Sequence, residues 1–301
     1  MDLPTWEVTI SFRRRVLSPY SPLVFLLKAV LTMLLGKEEY VEQAFFFRSF
    51  TERLQDGYST QEILYGMKHE LLNSTNLPMA VGVLLTEVKH SGKMNLAMSR
   101  MSHYFTPFQT FIMQQAEKEE GRFDFRLALK ILEREAKYRS ETPTPQGIFF
   151  YQFETLSRNR LGFDYGLEAI SNDPIFDERW RHWINVVLRR QIGFVDIAKL
   201  VYVRSAFYKL QDDEDPDLIL FGEREGRIAF ASQGRDPLFF FSALTRHIGY
   251  PEVVRQKRQE EIENPEIVEL RRKLELLEDK IQLLQEELKG GINLERFYVK
   301  K

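Results

Sequence analysis

The chain has no cysteine among its 301 residues. That excludes disulfides, thiolate metal sites and cysteine nucleophiles, and it is a composition a reducing compartment tolerates without cost. An excess of charge of one sign is also lacking. A formal net charge of −2 gives no general attraction to nucleic acid or anionic lipid. Long apolar runs are missing too. The one candidate span, Ser21 to Gly36, carries Lys28 in its middle and falls short of the ~20 apolar residues a crossing needs. Arg13-Arg14-Arg15 precedes it but sits behind twelve residues, and no small-residue cleavage site follows the apolar run. The segment reads as a core helix, with a membrane-surface or partner-facing helix as the alternative. In that alternative Arg13, Arg14 and Arg15 give a peripheral contact with an anionic bilayer, each adding ~1 kcal/mol near the surface.

Signatures of chemistry are equally scarce. His69, His90, His103, His182 and His247 form no H-x-x-x-H or H-E-x-x-H pair, so no zinc helix is evident and they read as surface or helix-end residues. The sequence holds no G-x-G-x-x-G after a strand, no G-x-x-x-x-G-K-[ST] and no G-x-S-x-G. No catalytic residue, cofactor or metal is therefore assigned. The carboxylates of Asp212 to Asp217 lack the spacing and terminal Glu of an EF-hand loop and read as a solvated hairpin tip.

What is present is a chain with a core. Hydrophobic residues make up 44% and charged residues 29%, the balance of a globular protein, and 24 Phe, 12 Tyr and 3 Trp make that core aromatic. The length suits two domains and a tail. Residues 1–37 read as an N-terminal arm ending in the apolar helix, and residues 38–141 as an antiparallel helical bundle. In its first helix Phe46, Phe50 and Leu54 recur every four residues, and Gly57 ends it. Ser59 and Glu62 predict a capping box before the stripe Ile63, Met67, Leu71. Pro78 predicts the first turn of a helix carrying Leu77, Val81, Leu84, Leu85 and Val88, and Gly92 predicts its end. Further helices are expected from Thr106 to Glu120 and from Asp124 to about Tyr138, the latter with Phe125, Ala128, Leu129, Leu132 and Ala136 facing inward.

Thr142-Pro143-Thr144-Pro145-Gln146-Gly147 reads as a linker. Residues 148–250 then read as a small α+β domain. Helices are expected over Phe149–Leu156, Phe163–Ile170, Asp173–Arg190 and Pro237–His247. A three-stranded antiparallel meander with acidic turns is expected over Val201–Lys209, Leu218–Phe221 and Arg227–Ala231. Within 264–290, Ile267, Leu270, Leu274, Leu277, Ile281, Leu284 and Leu288 alternate in steps of three and four. That is a coiled-coil seam expected to oligomerise the chain as a homodimer, or else to pack back on the body. Residues 291–301 form the tail. Whether the second half repeats the first stays open: Phe153, Leu156 and Gly162 echo Phe50, Leu54 and Gly57, but the strand signals have no counterpart.

Between Phe45 and Ser140 the order of punctuation is distinctive. After the helices ending at Gly57 and Gly92 come Phe105-Thr106-Pro107 and then Ala116-Glu117-Lys118-Glu119-Glu120-Gly121-Arg122-Phe123-Asp124 with Leu127. This order resembles the cytoplasmic domain of the GspF/PilC family, the inner-membrane platform proteins of type II secretion and type IV pilus machines. The resemblance covers about residues 40–140 and lacks the family's transmembrane helices. It implies a domain that docks protein partners, with Glu117, Gly121, Arg122 and Asp124 at the interaction surface.

The expectation is thus a mainly α protein acting as a non-enzymatic cytoplasmic scaffold, with a place peripheral to the inner membrane as the alternative, with protein partners and no nucleic acid. The competing reading is a ligand-binding or enzymatic α+β domain using Arg224, Arg227 and Arg235 as anion contacts. Nucleic-acid binding would require Arg158, Arg179 and Arg190 to line one face.

Overall fold

The computed structural model describes residues 35–118, 123–191, 196–208, 219–255 and 273. Among these are thirteen α-helices and one π-helical segment. In chain order they are α1 (Lys37–Gln55), α2 (Thr60–Glu70), α3 (Leu77–Ser91), α4 (Asn95–Arg100), α5 (Pro107–Ala116), α6 (Phe125–Ser140) and α7 (Pro145–Arg158). Then follow α8 (Phe163–Ser171), α9 (Glu178–His182), the π segment Trp183–Leu188, α10 (Arg189–Gln191), α11 (Ile197–Val203), α12 (Glu223–Ser232) and α13 (Pro237–Ile248). The described residues up to Arg255 belong to one compact unit. No helix among the described residues is long and apolar enough to cross a membrane. Of the apolar N-terminal segment only Leu35 and Gly36 are described, Gly36 standing just before α1; the three arginines before the segment and the seam residues of the heptads lie outside the described residues.

Helix ends in the first half follow local chemistry. Ser59 accepts from the Glu62 amide while the Glu62 side chain takes the Ser59 amide, closing a capping box before α2. Pro78 sits in the first turn of α3, and Gly92 ends that helix at φ 75°, where a side chain would be strained. Thr106 and Gln109 form a second capping box at α5, and Asp124 caps α6 through the Leu127 amide. The most extensive helix pair is α1 with α6. Phe46, Phe47 and Phe50 from α1 and Ala128, Leu129, Leu132 and Ala136 from α6 are buried in the same core.

Of the expected linker, only the residues before Pro145 lie between helices. Thr144 caps α7 by accepting from the Gly147 amide, and Pro145 is in its first turn, where the missing N–H costs nothing. This helix is buried nearly all round, with Ile148, Phe149, Phe150, Tyr151, Phe153 and Leu156 joined by the polar Gln152, Glu154 and Thr155. Such a helix belongs at the centre of its surroundings. The Phe149 ring packs against Trp180, Trp183 and Phe221 at centroid distances of 5.5, 5.2 and 6.0 Å.

The expected meander is absent, and with it the α+β class for this half. Among the described residues there is no strand, only one bridge between Ser205 and Phe221. Val201 to Val203 close α11, and Arg227 to Ala231 lie inside α12. Burial decides the matter. Ile197, Ala198, Leu200 and Val201 are all buried, a spacing of three and four that only a helix presents to one side. In α12, Gly226 and Ala229 face inward three residues apart, and a Cβ at Gly226 would lie 2.6 Å from the Ser205 Cβ and 2.7 Å from the Phe207 Cβ. Gly226, which falls between the second and third expected strands, is instead a point of close approach to the Ser205 segment. Glu223 and Glu225, which fall between the second and third expected strands, occupy the first turn of α12, where they complement the positive end of the helix. The acidic run Asp212 to Asp217 lies outside the described residues.

Candidate functional site

Three groups of side chains stand apart from ordinary core and surface. The first is a buried ionic cluster. On α6, Phe125, Ala128, Leu132, Glu135 and Arg139 fall on one helical stripe, so two charged residues continue a seam begun by apolar ones. Arg139 and Glu135 are fully enclosed, as are Gln152 of α7 and Asp173 in the α8–α9 connection. The Arg139 guanidinium donates to Glu135 Oε1 at 2.8 Å through Nη2 and at 3.2 Å through Nε, and Nη2 also pairs with Asp173 Oδ2. Gln152 Nε2 donates to both carboxylates, at 2.8 Å to Glu135 Oε1 and 2.9 Å to Asp173 Oδ2. The Tyr40 ring of α1 lies beneath the guanidinium at 5.8 Å. Burial pushes the Glu135 carboxyl upward, only partly offset by Arg139, and burial raises the Tyr40 and Tyr151 hydroxyls as well. The cluster has no exposed side chain, and it joins α6, α7 and the chain after α8.

The second group holds the residues that the sequence marked for partner contact. Glu117 follows α5 directly, and its two oxygens accept the Met94 and Asn95 amides at 2.6 and 2.8 Å. Burial raises its carboxyl against the pull of those two amides. Asp124 is committed to its cap on Leu127 at 2.8 Å. Both therefore fasten helix starts. Gly121 and Arg122 lie outside the described residues.

The third group is at the surface. Tyr65 of α2, Leu72 just after it, and Met79 and Val83 of α3 are all exposed, Met79 at 73%. The inner stripes of the same helices, with Ile63, Leu64 and Met67 opposite Val81, Leu84 and Val88, are buried. The Lys68 stem packs over Gly82, its Cε 3.5 Å from where a Cβ would stand. The Tyr65 ring packs edge-on against His69 one turn later, at 5.6 Å. The α2–α3 hairpin thus carries four exposed apolar side chains, and the Lys68 stem lies across it.

The hairpin is anchored from α1. Glu42 Oε2 accepts the Leu72 amide at 3.0 Å, and Glu39 accepts from Asn76 and Tyr104. A second exposed set, Phe230, Leu238 and Phe239, lies where α12 gives way to α13, but the Phe230 ring packs on Tyr202 and Phe207 at 5.2 and 6.2 Å.

The arginines noted as anion contacts engage protein acceptors. Arg227 pairs with Glu223 and lies over the Phe207 ring, and Arg224 Nη1 donates to the His247 carbonyl at 3.3 Å. Arg235 is exposed in the α12–α13 connection. In the other basic group, Arg158, Arg179 and Arg189 pair with Glu154, Asp177 and Asp164. All five histidines are exposed.

Comparison with family models, curated proteins and solved structures finds no match to this chain. The buried cluster and the hairpin face were both missed in the sequence. The signal for the cluster was present, since Glu135 and Arg139 stand on the apolar stripe of α6. The signal for the face was Met79 and Val83, four residues apart and off the stripe of Val81, Leu84 and Val88.

Proposed function

We propose that the chain is a non-catalytic cytoplasmic scaffold or adaptor that docks protein partners of a type II secretion or type IV pilus-like assembly through its helical domain. The observation that carries the reading is the exposed apolar face of the α2–α3 hairpin, Tyr65, Leu72, Met79 and Val83. Large apolar side chains gathered on one face are costly to leave in water and suit a protein partner. Lys68 stands among them, and Lys89 and His90 are exposed at the end of α3, so the fitting occupant is an amphipathic helix with carboxylates beside its apolar stripe. The likeness of residues 40–140 to the GspF/PilC domain supplies the class of partner.

Glu117 and Asp124 support this function indirectly, by holding the starts of α4 and α6. The heptads from Ile267 to Leu288, which lie outside the described residues, are proposed to make the scaffold a homodimer. Two copies of a docking face would raise its avidity.

The test replaces Met79 and Val83 by aspartate in the full chain. Both side chains are exposed, so circular dichroism and thermal unfolding should match the parent. Co-purification of an assembly component with the tagged protein should be lost. Retention of that partner at parental levels would refute the hairpin as the docking face.

A further inference from the structure

The buried cluster has one acceptor too many. Arg139 supplies one positive charge, whereas Glu135 and Asp173 supply two negative charges if both are ionised. Two enclosed oxygens, Glu135 Oε2 and Gln152 Oε1, have no hydrogen-bond partner. Both are acceptors, and the Gln152 amide has already given its two hydrogens to Glu135 Oε1 and Asp173 Oδ2. A buried carboxylate oxygen with no donor carries the cost of desolvation with nothing to offset it.

One proton on Glu135 cancels the excess charge and turns its unpartnered Oε2 into a donor, and Asp173 is the wrong place for that proton. Its Oδ2 takes Arg139 and Gln152, and its Oδ1 accepts the Ile175 amide at 3.2 Å, so each oxygen already has donors. Glu135 Oε2 has none. We propose that Glu135 is a neutral carboxylic acid in the folded protein at neutral pH, its Oε2 carrying the proton that the Gln152 carbonyl lacks, so that the joint of α6, α7 and the α8–α9 connection is a proton-dependent one.

The groups facing Glu135 are consistent with that state. From α1 comes Tyr40, from α7 come Gln152 and Tyr151, and from the α8–α9 connection comes Asp173. On its own helix Arg139 is the sole positive partner in contact, while Glu133 and Arg134 act on neighbouring Tyr151 from the same turn. Arg139 with Asp173 is neutral, so an ionised Glu135 would leave one uncompensated charge in a fully enclosed site.

The sign of the resulting pH dependence follows from linkage. Burial moves the Glu135 carboxyl upward from the ordinary carboxylate range. Between the unfolded and folded values the native state binds the extra proton, so its contribution to stability falls as pH rises through that window and is constant on either side.

The experiment compares urea unfolding of the full chain and of Glu135→Gln, an isostere of the neutral acid, from about pH 5 to about pH 9. The unfolding equilibrium of the wild type should shift relative to the variant by about tenfold per pH unit within the window, with the variant gaining as pH rises. Asp173→Asn should instead lose stability at every pH. Infrared spectra at neutral pH should show a protonated-carboxyl band in the wild type that Glu135→Gln lacks. A variant destabilised equally at every pH, with no such band lost, would overturn the proposal. If Glu135→Gln does not fold, proton uptake on refolding the wild type at neutral pH decides. About one proton supports the proposal and none refutes it.

Discussion

Glu39 Oε1 accepts both the backbone amide and the side-chain amide of Asn76, at 2.8 and 2.9 Å. Its other oxygen takes the Tyr104 hydroxyl at 2.8 Å. One carboxylate in the first turn of α1 therefore fixes the start of α3 and the approach to α5. Asn76 makes no side-chain cap of its own, so Glu39 supplies the acceptor that the start of α3 would otherwise lack. Glu39→Ala is expected to lower stability by about 1.5–3 kcal/mol, the range for hydrogen bonds to a charged group. Hydrogen exchange at the Asn76 amide should accelerate by more than at α6, and equal acceleration at both would contradict a local anchor.

Arg139→Met should be among the most damaging single changes. It leaves Asp173 and Glu135 enclosed without their cation, and breaking a buried pair from one side costs about 3–5 kcal/mol. Chemical denaturation checks the size. A loss below about 1 kcal/mol would mean that the cluster is open to solvent.

Helix ends and apolar stripes were legible in the sequence because their causes are local. Ser59 and Glu62 are three residues apart, Gly92 needs no neighbour to take a positive φ, and Phe46 and Phe50 define a face by spacing alone. The second half defeated the same reading at Val201, Tyr202 and Ile228, whose β-branched and aromatic character suggested strands. There the contacts that decide are distant in sequence. Gly226 meets Ser205 and Phe207, and Phe221 reaches Phe149 and Trp180. Glu135 and Arg139 are four residues apart, a spacing equally suited to a surface pair, and only the distant Gln152 and Asp173 make theirs a buried cluster.

Gly226→Ala tests the helical account of this region. The added methyl would overlap Ser205 Oγ and come 2.7 Å from the Phe207 Cβ. Overpacking of this kind costs about 1–3 kcal/mol, and the shift should appear in the unfolding midpoint and in the fluorescence of the adjoining aromatics. A glycine in an exposed hairpin turn would tolerate alanine at no such cost, so an unchanged midpoint would contradict the packing of α12 against the Ser205 segment.

The absence of cysteine makes the central claim directly measurable, because one introduced thiol is unique in the chain. Met79→Cys and Phe239→Cys, each carrying a photoactivatable cross-linker, would be compared in extracts of the cells that make the protein. Both positions are well exposed. The account predicts that position 79 captures a secretion- or pilus-type assembly component, identified by mass spectrometry, and that position 239 does not. No capture from position 79, or capture from position 239 alone, would contradict it.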